Sequence, residues 1–314
     1  IYQLNLIVMR IYTNKINESW IIDRVIDEWI SNNNEITSER IQDADIVWII
    51  SNWTWKKIRI KYLKEKKVVA SIYHIDFDNF NKKDEKNFYK MDQYVDLYHV
   101  ISLKTKEQLK RLTNKKIISI PFWVNQKNLF YIENKSSLRK KYGFSEDDYI
   151  IGSFQRDTEG SDLVSPKLIK GPDIFIDLVN RLNNNQNIRI LLTGTRRQYV
   201  INKLKELGIN YKYFEMVQID QLNEFYNILD LYLVSSRLEG GPQAVLECAV
   251  TKTPIISTDV GVASEILHPN SIYSLETFEN AKPMVEYAYE NSKKYTLPDG
   301  MKNFIDMFRD IYES

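Results

Sequence analysis

Glu239 and Glu247 are the side chains whose type and spacing most suggest chemistry. Seven residues separate them in the stretch Ser235 to Val260, SSRLEGGPQAVLECAVTKTPIISTDV. An apolar run, LDLYLV, precedes that bend and another, PIIST, closes the stretch, and both read as strands. Gly240 and Gly241 leave the backbone open to close approach by a ligand. Pro242 suits the first turn of a helix, where an N–H has no intrahelical partner. A helix starting there presents free amides and a partial positive charge, which favour phosphate. Val245, Leu246, Cys248 and Ala249 mark that helix as largely buried. A buried carboxylate is costly unless its oxygens are partnered. Two adjacent hydroxyls, such as those of a ribose, would partner both oxygens of Glu247. A plainer reading has Glu247 capping a neighbouring loop.

The elements that must position this bend follow from the rest of the chain. Its 314 residues suit two domains, and 43% hydrophobic with 27% charged residues is ordinary for a globular protein. Lys+Arg and Asp+Glu nearly cancel to a net charge of +1, so no global field points to nucleic acid. One cysteine, Cys248, rules out an internal disulfide and fits a reducing, cytoplasmic compartment. No apolar run approaches the length of a membrane span. The opening IYQLNLIVMR reads as a core strand rather than a signal peptide, in a chain that begins without Met. The triplets headed by Asn17, Asn52 and Asn134 read as chance in an Asn-rich chain.

Strand-like and helix-like runs alternate throughout the first half: LNLIVM then SWIIDRVIDEWI, ADIVWII then a basic helix, KKVVASIYH, VDLYHVI then KTKEQLKRL, and KKIISIP. Such alternation implies a parallel sheet covered on both faces. The first junction, MRIYTNKINESW, has no glycine, and no Gly-x-Gly-x-x-Gly occurs in the chain, which argues against a NAD-dependent dehydrogenase. The run Trp53 to Lys67 is basic and aromatic. It reads either as a solvated helix with lysine stems along the sheet or as a contact with an anionic membrane surface. His74, Asp76 and Asp78 follow a strand, where parallel sheets bind ligands. Asp76 and Asp78 could hold a divalent ion on a diphosphate, as in a GT-A glycosyltransferase.

The segment around Glu239 resembles the signature of the retaining GT-B glycosyltransferases, in particular glycosyltransferase family 4 (glycosyl transferases group 1). The resemblance lies in EGGPQAVLE, the TDVG turn at Thr258 to Gly261 and Glu265, and it extends from Val68 to the end of the chain. It implies an α/β fold of GT-B type, two Rossmann-like domains with parallel sheets facing across a cleft. The implied domains are 1–124 on the acceptor side and 125–298 on the nucleotide-sugar side, with a helix over 299–314 crossing back. Pro121, Val124 and Phe130 match the family's interdomain crossover, although Phe122-Trp123 stands where the family has Asn-Gly.

By the same resemblance Glu239 and His74 orient the donor sugar, and Glu247 holds the ribose. Gly240, Gly241 and Pro242 lie by the donor, and Gly194 and Val217 flank the base or diphosphate. Arg156 and Lys170 match the family's cations, which offset charge on the departing diphosphate without a metal. The thirteen residues DTEGSDLVSPKLI between them exceed the family's usual spacing, make Lys167 a rival for Lys170, and could form a flap. Arg196 and Arg197 read as phosphate contacts or as exposed helix-end residues. The implied function is transfer of a sugar from a UDP- or GDP-linked donor to a glycan or lipid-linked hydroxyl acceptor, with no cofactor and no metal. A nucleotide-sugar 2-epimerase of the same architecture and a non-catalytic sugar-nucleotide-binding protein are the alternatives.

Overall fold

The computed structural model describes residues 9–15, 21–183 and 187–314. The expected strand LNLIVM lies outside these residues except for Met9. The chain divides into two compact units, one running up to Phe122 and resuming over Pro298–Ser314, the other Trp123–Leu297.

Among the described residues the first unit holds five parallel strands: β1 (Ile11–Thr13), β2 (Ile46–Ile49), β3 (Lys67–Ile72), β4 (Leu97–Val100) and β5 (Lys116–Ser119), side by side in that order. β1 falls within the stretch that the sequence reads as a turn. The strands are apolar on both faces because both faces are covered. Val47, Ile49, Val68, Ala70, Tyr98 and Val100 pack on Trp55, Tyr62, Leu63, Phe88, Met91 and Leu109. On the opposite face Trp48 meets Trp29 at 5.5 Å and Phe308 at 5.3 Å, from the helices Ile21–Asn32 and Asp299–Glu313. Phe122 stacks on Phe304 at 5.7 Å in the same layer.

The basic run Trp53 to Lys67 is not one helix. Asn52–Lys57 is a 3-10 segment and Ile60–Glu65 a short α-helix, separated by extended backbone at Ile58 and Arg59. The break lets Trp55, Tyr62 and Leu63 reach the core while Trp53 and Ile60 stay about half exposed, at 54% and 50%.

The second unit holds β6 (Tyr149–Ser153), β7 (Ile188–Thr193), β8 (Tyr211–Phe214), β9 (Leu231–Val234), β10 (Ile255–Thr258) and β11 (Ile272–Tyr273), ordered β11-β10-β9-β6-β7-β8 and parallel. The chain enters mid-sheet at β6, winds outward to β8, then returns beside β6 to wind the other way. Alternate residues again serve two cores. Ile150, Leu191, Tyr232 and Val234 pack with Tyr226, Val245 and Leu246. Ile151, Ile190, Leu192 and Leu233 pack with Phe175, Leu178 and Val200. Asp230 is structural, accepting from Arg139 at 2.7 Å and from the Ile150 amide at 2.8 Å.

A buried polar chain threads the first sheet. Trp48 Nε1 donates to Ser71 Oγ at 2.9 Å, Ser71 Oγ lies 2.8 Å from His99 Nδ1, and His99 Nε2 lies 2.7 Å from the Ile120 carbonyl oxygen. The carbonyl can only accept, so Nε2 carries the proton and Nδ1 accepts from Ser71. Every member is satisfied with the imidazole neutral, and burial pushes the His99 pKa from 6.5 to about 4. The folded pKa lies below the unfolded one, so this contribution is whole above 6.5 and is lost as pH falls through the window down to about 4. The loss is on the order of 3 kcal/mol at most. An NMR titration checks it: the His99 ring should stay neutral down to about pH 5, and a midpoint near the ordinary histidine value would contradict the buried chain.

Candidate active site

In a doubly wound parallel sheet, ligands bind beyond the carboxyl ends of the strands where the winding reverses. Here that point lies between β6 and β9. Four backbone segments meet there: the one leaving β6, the turn before the helix Pro172–Asn183, the loop leaving β9, and the TDVG turn leaving β10.

These segments are fastened to one another through backbone. Gly171 sits at φ +60, and a Cβ there would lie 1.8 Å from the Ser235 carbonyl oxygen. Ser235 Oγ donates to the Gly171 oxygen at 2.8 Å, and the amides of Arg237 and Leu238 both donate to the Ile169 oxygen, at 2.9 and 3.1 Å. Thr258 Oγ1 donates to the Ser236 oxygen at 2.6 Å. Gly261, at φ +48, approaches Gly240 so closely that a Cβ would lie 2.2 Å from its oxygen. This packing brings Lys170, the last residue of the single 3-10 turn Leu168–Lys170, against Glu239, and the two form an ion pair. Their side chains are 21% and 9% exposed. Ser236 Oγ donates to the same Glu239 oxygen at 3.2 Å.

The long insertion between Arg156 and Lys170 is a hairpin. Thr158 and Pro166 bridge antiparallel, the Glu159 amide donates to the Ser165 oxygen at 3.0 Å, and the Lys167 amide donates to the Asp157 oxygen at 2.8 Å. Asp162 closes the tip by accepting from the amides of Val164 and Ser165 at 3.0 and 3.1 Å. The base is anchored by Asp157 and Arg197, 1% and 0% exposed, with Nε to Oδ2 at 2.8 Å. Arg197 Nη1 also donates to the Ser153 and Thr193 carbonyl oxygens. Burial pushes the Asp157 pKa up, opposed by the Arg197 charge. Arg197 is therefore neither exposed nor turned to a ligand, contrary to both sequence readings: its donors hold the ends of β6 and β7 together. Arg196, at φ 61, donates to the Gly160 oxygen on the hairpin.

Arg156 is half-buried beside the hairpin, and Lys167 lies across the pairing from Asp157. Lys167 lies near both Arg156 and Lys170. Its pKa is pushed down to about 8, first by burial and then by the charges of Arg156 and Lys170, with Glu159 and Glu239 opposing.

Glu247 lies on the helix Gln243–Val250 and is 5% exposed. Tyr226 Oη donates to its Oε2 at 2.6 Å, an internal partner that the sequence reading missed. Burial, followed by the Glu247 charge, pushes the Tyr226 pKa well up. The rings of Tyr226 and Tyr232 lie 5.1 and 5.3 Å from Phe154, forming an aromatic bed behind the carboxylate. Pro242 precedes the helix as its N-cap rather than occupying its first turn. Gly194, at φ +90, follows β7, and a Cβ there would be 3.6 Å from the Phe154 oxygen, so its turn adjoins the one leaving β6. Val217 is half-buried against the core cluster that includes Tyr226, next to Met216, which is 62% exposed. Gly240 is buried and Gly241 half-buried in the loop between Glu239 and the helix.

His74 belongs to the other unit, half-buried on the segment leaving β3. Asp76, two residues on, accepts from Asn79 Nδ2 at 2.7 Å within a turn. Two parallel-sheet units exclude the GT-A reading of Asp76 and Asp78. Among the described residues no group of three or more His, Cys, Asp or Glu could hold a metal ion, and no helix is long and apolar enough to cross a membrane.

The chain resembles solved proteins over nearly its whole length. HepE from Anabaena, solved with UDP, superposes with a TM-score of 0.74 at 10% identity, covering 96% of this chain and 100% of HepE. Sucrose-phosphate synthase from Thermosynechococcus elongatus gives 0.68 at 12% identity, covering 93% and 78%. A glycosyltransferase from Rickettsia africae gives 0.62 at 16% identity, covering 96% and 84%. At such identities the likeness shows the fold, which is that of the GT-B glycosyltransferases. No curated protein matches the chain. The model of the family described as glycosyl transferases group 1 matches residues 134–296, just over half of the chain and almost all of the unit that carries Glu239, and the chain belongs to that family.

Proposed function

We propose that this glycosyl transferase moves a sugar from a nucleotide diphosphate donor to a hydroxyl of a glycan or lipid-linked acceptor, with retained anomeric configuration and no metal. The observation that carries this reading is the gathering of Arg156, Lys167, Lys170 and Glu239 where the second sheet reverses its winding. HepE structures were solved with UDP and with UDP-glucose, which favours a UDP-linked donor over a GDP-linked one.

The donor's C1–O bond breaks and its electron pair leaves with the diphosphate, toward Arg156 and Lys170. The acceptor oxygen bonds C1 on the same face, and its proton passes to the departing phosphate oxygen. Fixed cations stabilise that charge as it grows without reorganising. Glu239 and His74 orient the sugar and stabilise its oxocarbenium-like character. Glu247 accepts from the ribose hydroxyls, with Gly240, Gly241 and Pro242 beside the donor and the turns at Gly194 and Val217 beside the base. The exposed Trp53 and the cations up to Lys67 are proposed to touch an anionic membrane from the cytoplasmic side, which suits a lipid-linked acceptor.

A thermal-shift screen against UDP- and GDP-linked sugars tests the donor class, because a ligand that binds the folded state raises its melting temperature by mass action. One of the two nucleotide series should stabilise the protein, and no shift with either would sink the reading. Glu239→Gln should lower release of nucleoside diphosphate from the identified donor by about a hundredfold or more. The same variant should bind UDP or GDP as tightly as wild type or more so, since a carboxylate beside three cations has been neutralised. Undiminished turnover would contradict the role of Glu239. Glu247→Gln can still accept from Tyr226, so the fold should survive. Binding of the ribonucleotide should weaken about tenfold while that of its 2′,3′-dideoxy analogue stays unchanged; equal losses on both would remove Glu247 from the ribose.

A further inference from the structure

We propose that Lys167 is a third diphosphate-binding cation of the donor site, delivered there by the inserted hairpin. The proposal rests on the donor reading above and goes beyond the Arg156 and Lys170 pair.

Two features of the backbone aim Lys167 at that place. Lys167 is the N-cap of the 3-10 turn Leu168–Lys170, and the Lys170 amide donates to the Lys167 oxygen at 2.8 Å. That bond folds the backbone back on itself, so Lys167 and Lys170 start from adjacent places on one tight turn. Antiparallel pairing sets Lys167 opposite Asp157, the residue after Arg156. The hairpin thus closes its ends on a single point and places one cation of each end there. The Asp157–Arg197 pair, fully buried at the hairpin base, fixes the closure.

Charged groups from several segments act on Lys167. Arg156 comes from the segment leaving β6, Lys167 and Lys170 from the 3-10 turn, Glu159 from the hairpin's first arm and Glu239 from the loop leaving β9. Two cations press on Lys167, and Glu239, one of the two carboxylates that oppose them, is engaged by Lys170. Half-buried like charges repel and favour neutralisation of the most easily deprotonated member, which is a lysine rather than an arginine. Lys167 is that member, with a pKa of about 8. An arriving diphosphate adds negative charge beside Lys167 and restores its proton. Lys167 then does more than hold the loop: it couples nucleotide binding to proton uptake.

Calorimetric titration with UDP and with GDP, at pH 8 in buffers of different ionisation enthalpy, reads that uptake directly. The terminal phosphate, with a pKa of about 6, is already ionised there. Wild type should take up about half a proton per nucleoside diphosphate, because a group with a pKa of about 8 is half neutral at pH 8. Lys167→Arg, always charged, should bind like wild type with no uptake. Lys167→Met should bind about tenfold more weakly with no uptake, while the parent nucleoside, uridine or guanosine, binds as before. Lys167→Met with wild-type affinity and uptake would overturn the assignment and leave the donor reading standing. Wild type that bound neither UDP nor GDP would overturn both.

Discussion

The carbonyl of Ser235 leaves no room for a side chain at position 171. That contact, with a Cβ position 1.8 Å from the oxygen, joins the turn before one helix to the loop after β9. Lys170 comes one residue before Gly171, and Glu239 comes four residues after Ser235. Their meeting is therefore a consequence of backbone fit, with the ion pair added on top. The second close approach, Gly261 on Gly240, pins the same loop from the other side. Side-chain placement to a fraction of an ångström needs such rigid support, since charge stabilisation depends on fixed geometry.

The electrostatics follow from this frame. Arg156, Lys170, Glu159 and Glu239 all act on Lys167. The buried pair of Asp157 and Arg197 holds the base of the hairpin that carries it. Removing one partner of such a pair typically costs about 3–5 kcal/mol, because the other charge is left buried alone. The inserted hairpin is in this way tied to the ends of β6 and β7 rather than hanging from the sheet's surface. Glu247 is held differently, on a helix and against Tyr226, so the two carboxylates of the signature have separate supports.

Much of this was legible in the sequence. Alternating strand and helix runs carry two periodicities that announce parallel sheets, and both sheets are present. The Glu-Gly-Gly-Pro bend was legible because glycine and proline mark backbone turns locally, whereas Lys170 stood out only through the family resemblance. What could not be read depends on residues distant in sequence. Tyr226 reaches Glu247 across 21 positions and Arg197 reaches Asp157 across 40, through pairing that no local pattern encodes. Arg197 was misread for a physical reason: arginine at a helix start is usually solvated, whereas here two strand ends supply carbonyl oxygens to it. The break at Ile58 and Arg59 escaped notice because no glycine or proline marks it; the sheet's demand for Trp55 and Tyr62 imposes it. The hairpin that brings Lys167 toward Asp157 cannot be inferred from loop length.

The most direct measurement is a crystal structure of the protein with UDP or GDP bound. The account predicts the terminal phosphate within hydrogen-bond distance of Arg156 and Lys170 in the second unit, and both ribose hydroxyls on the Glu247 carboxylate. Nucleotide bound elsewhere in the chain, or a ribose pointing away from Glu247, would contradict it.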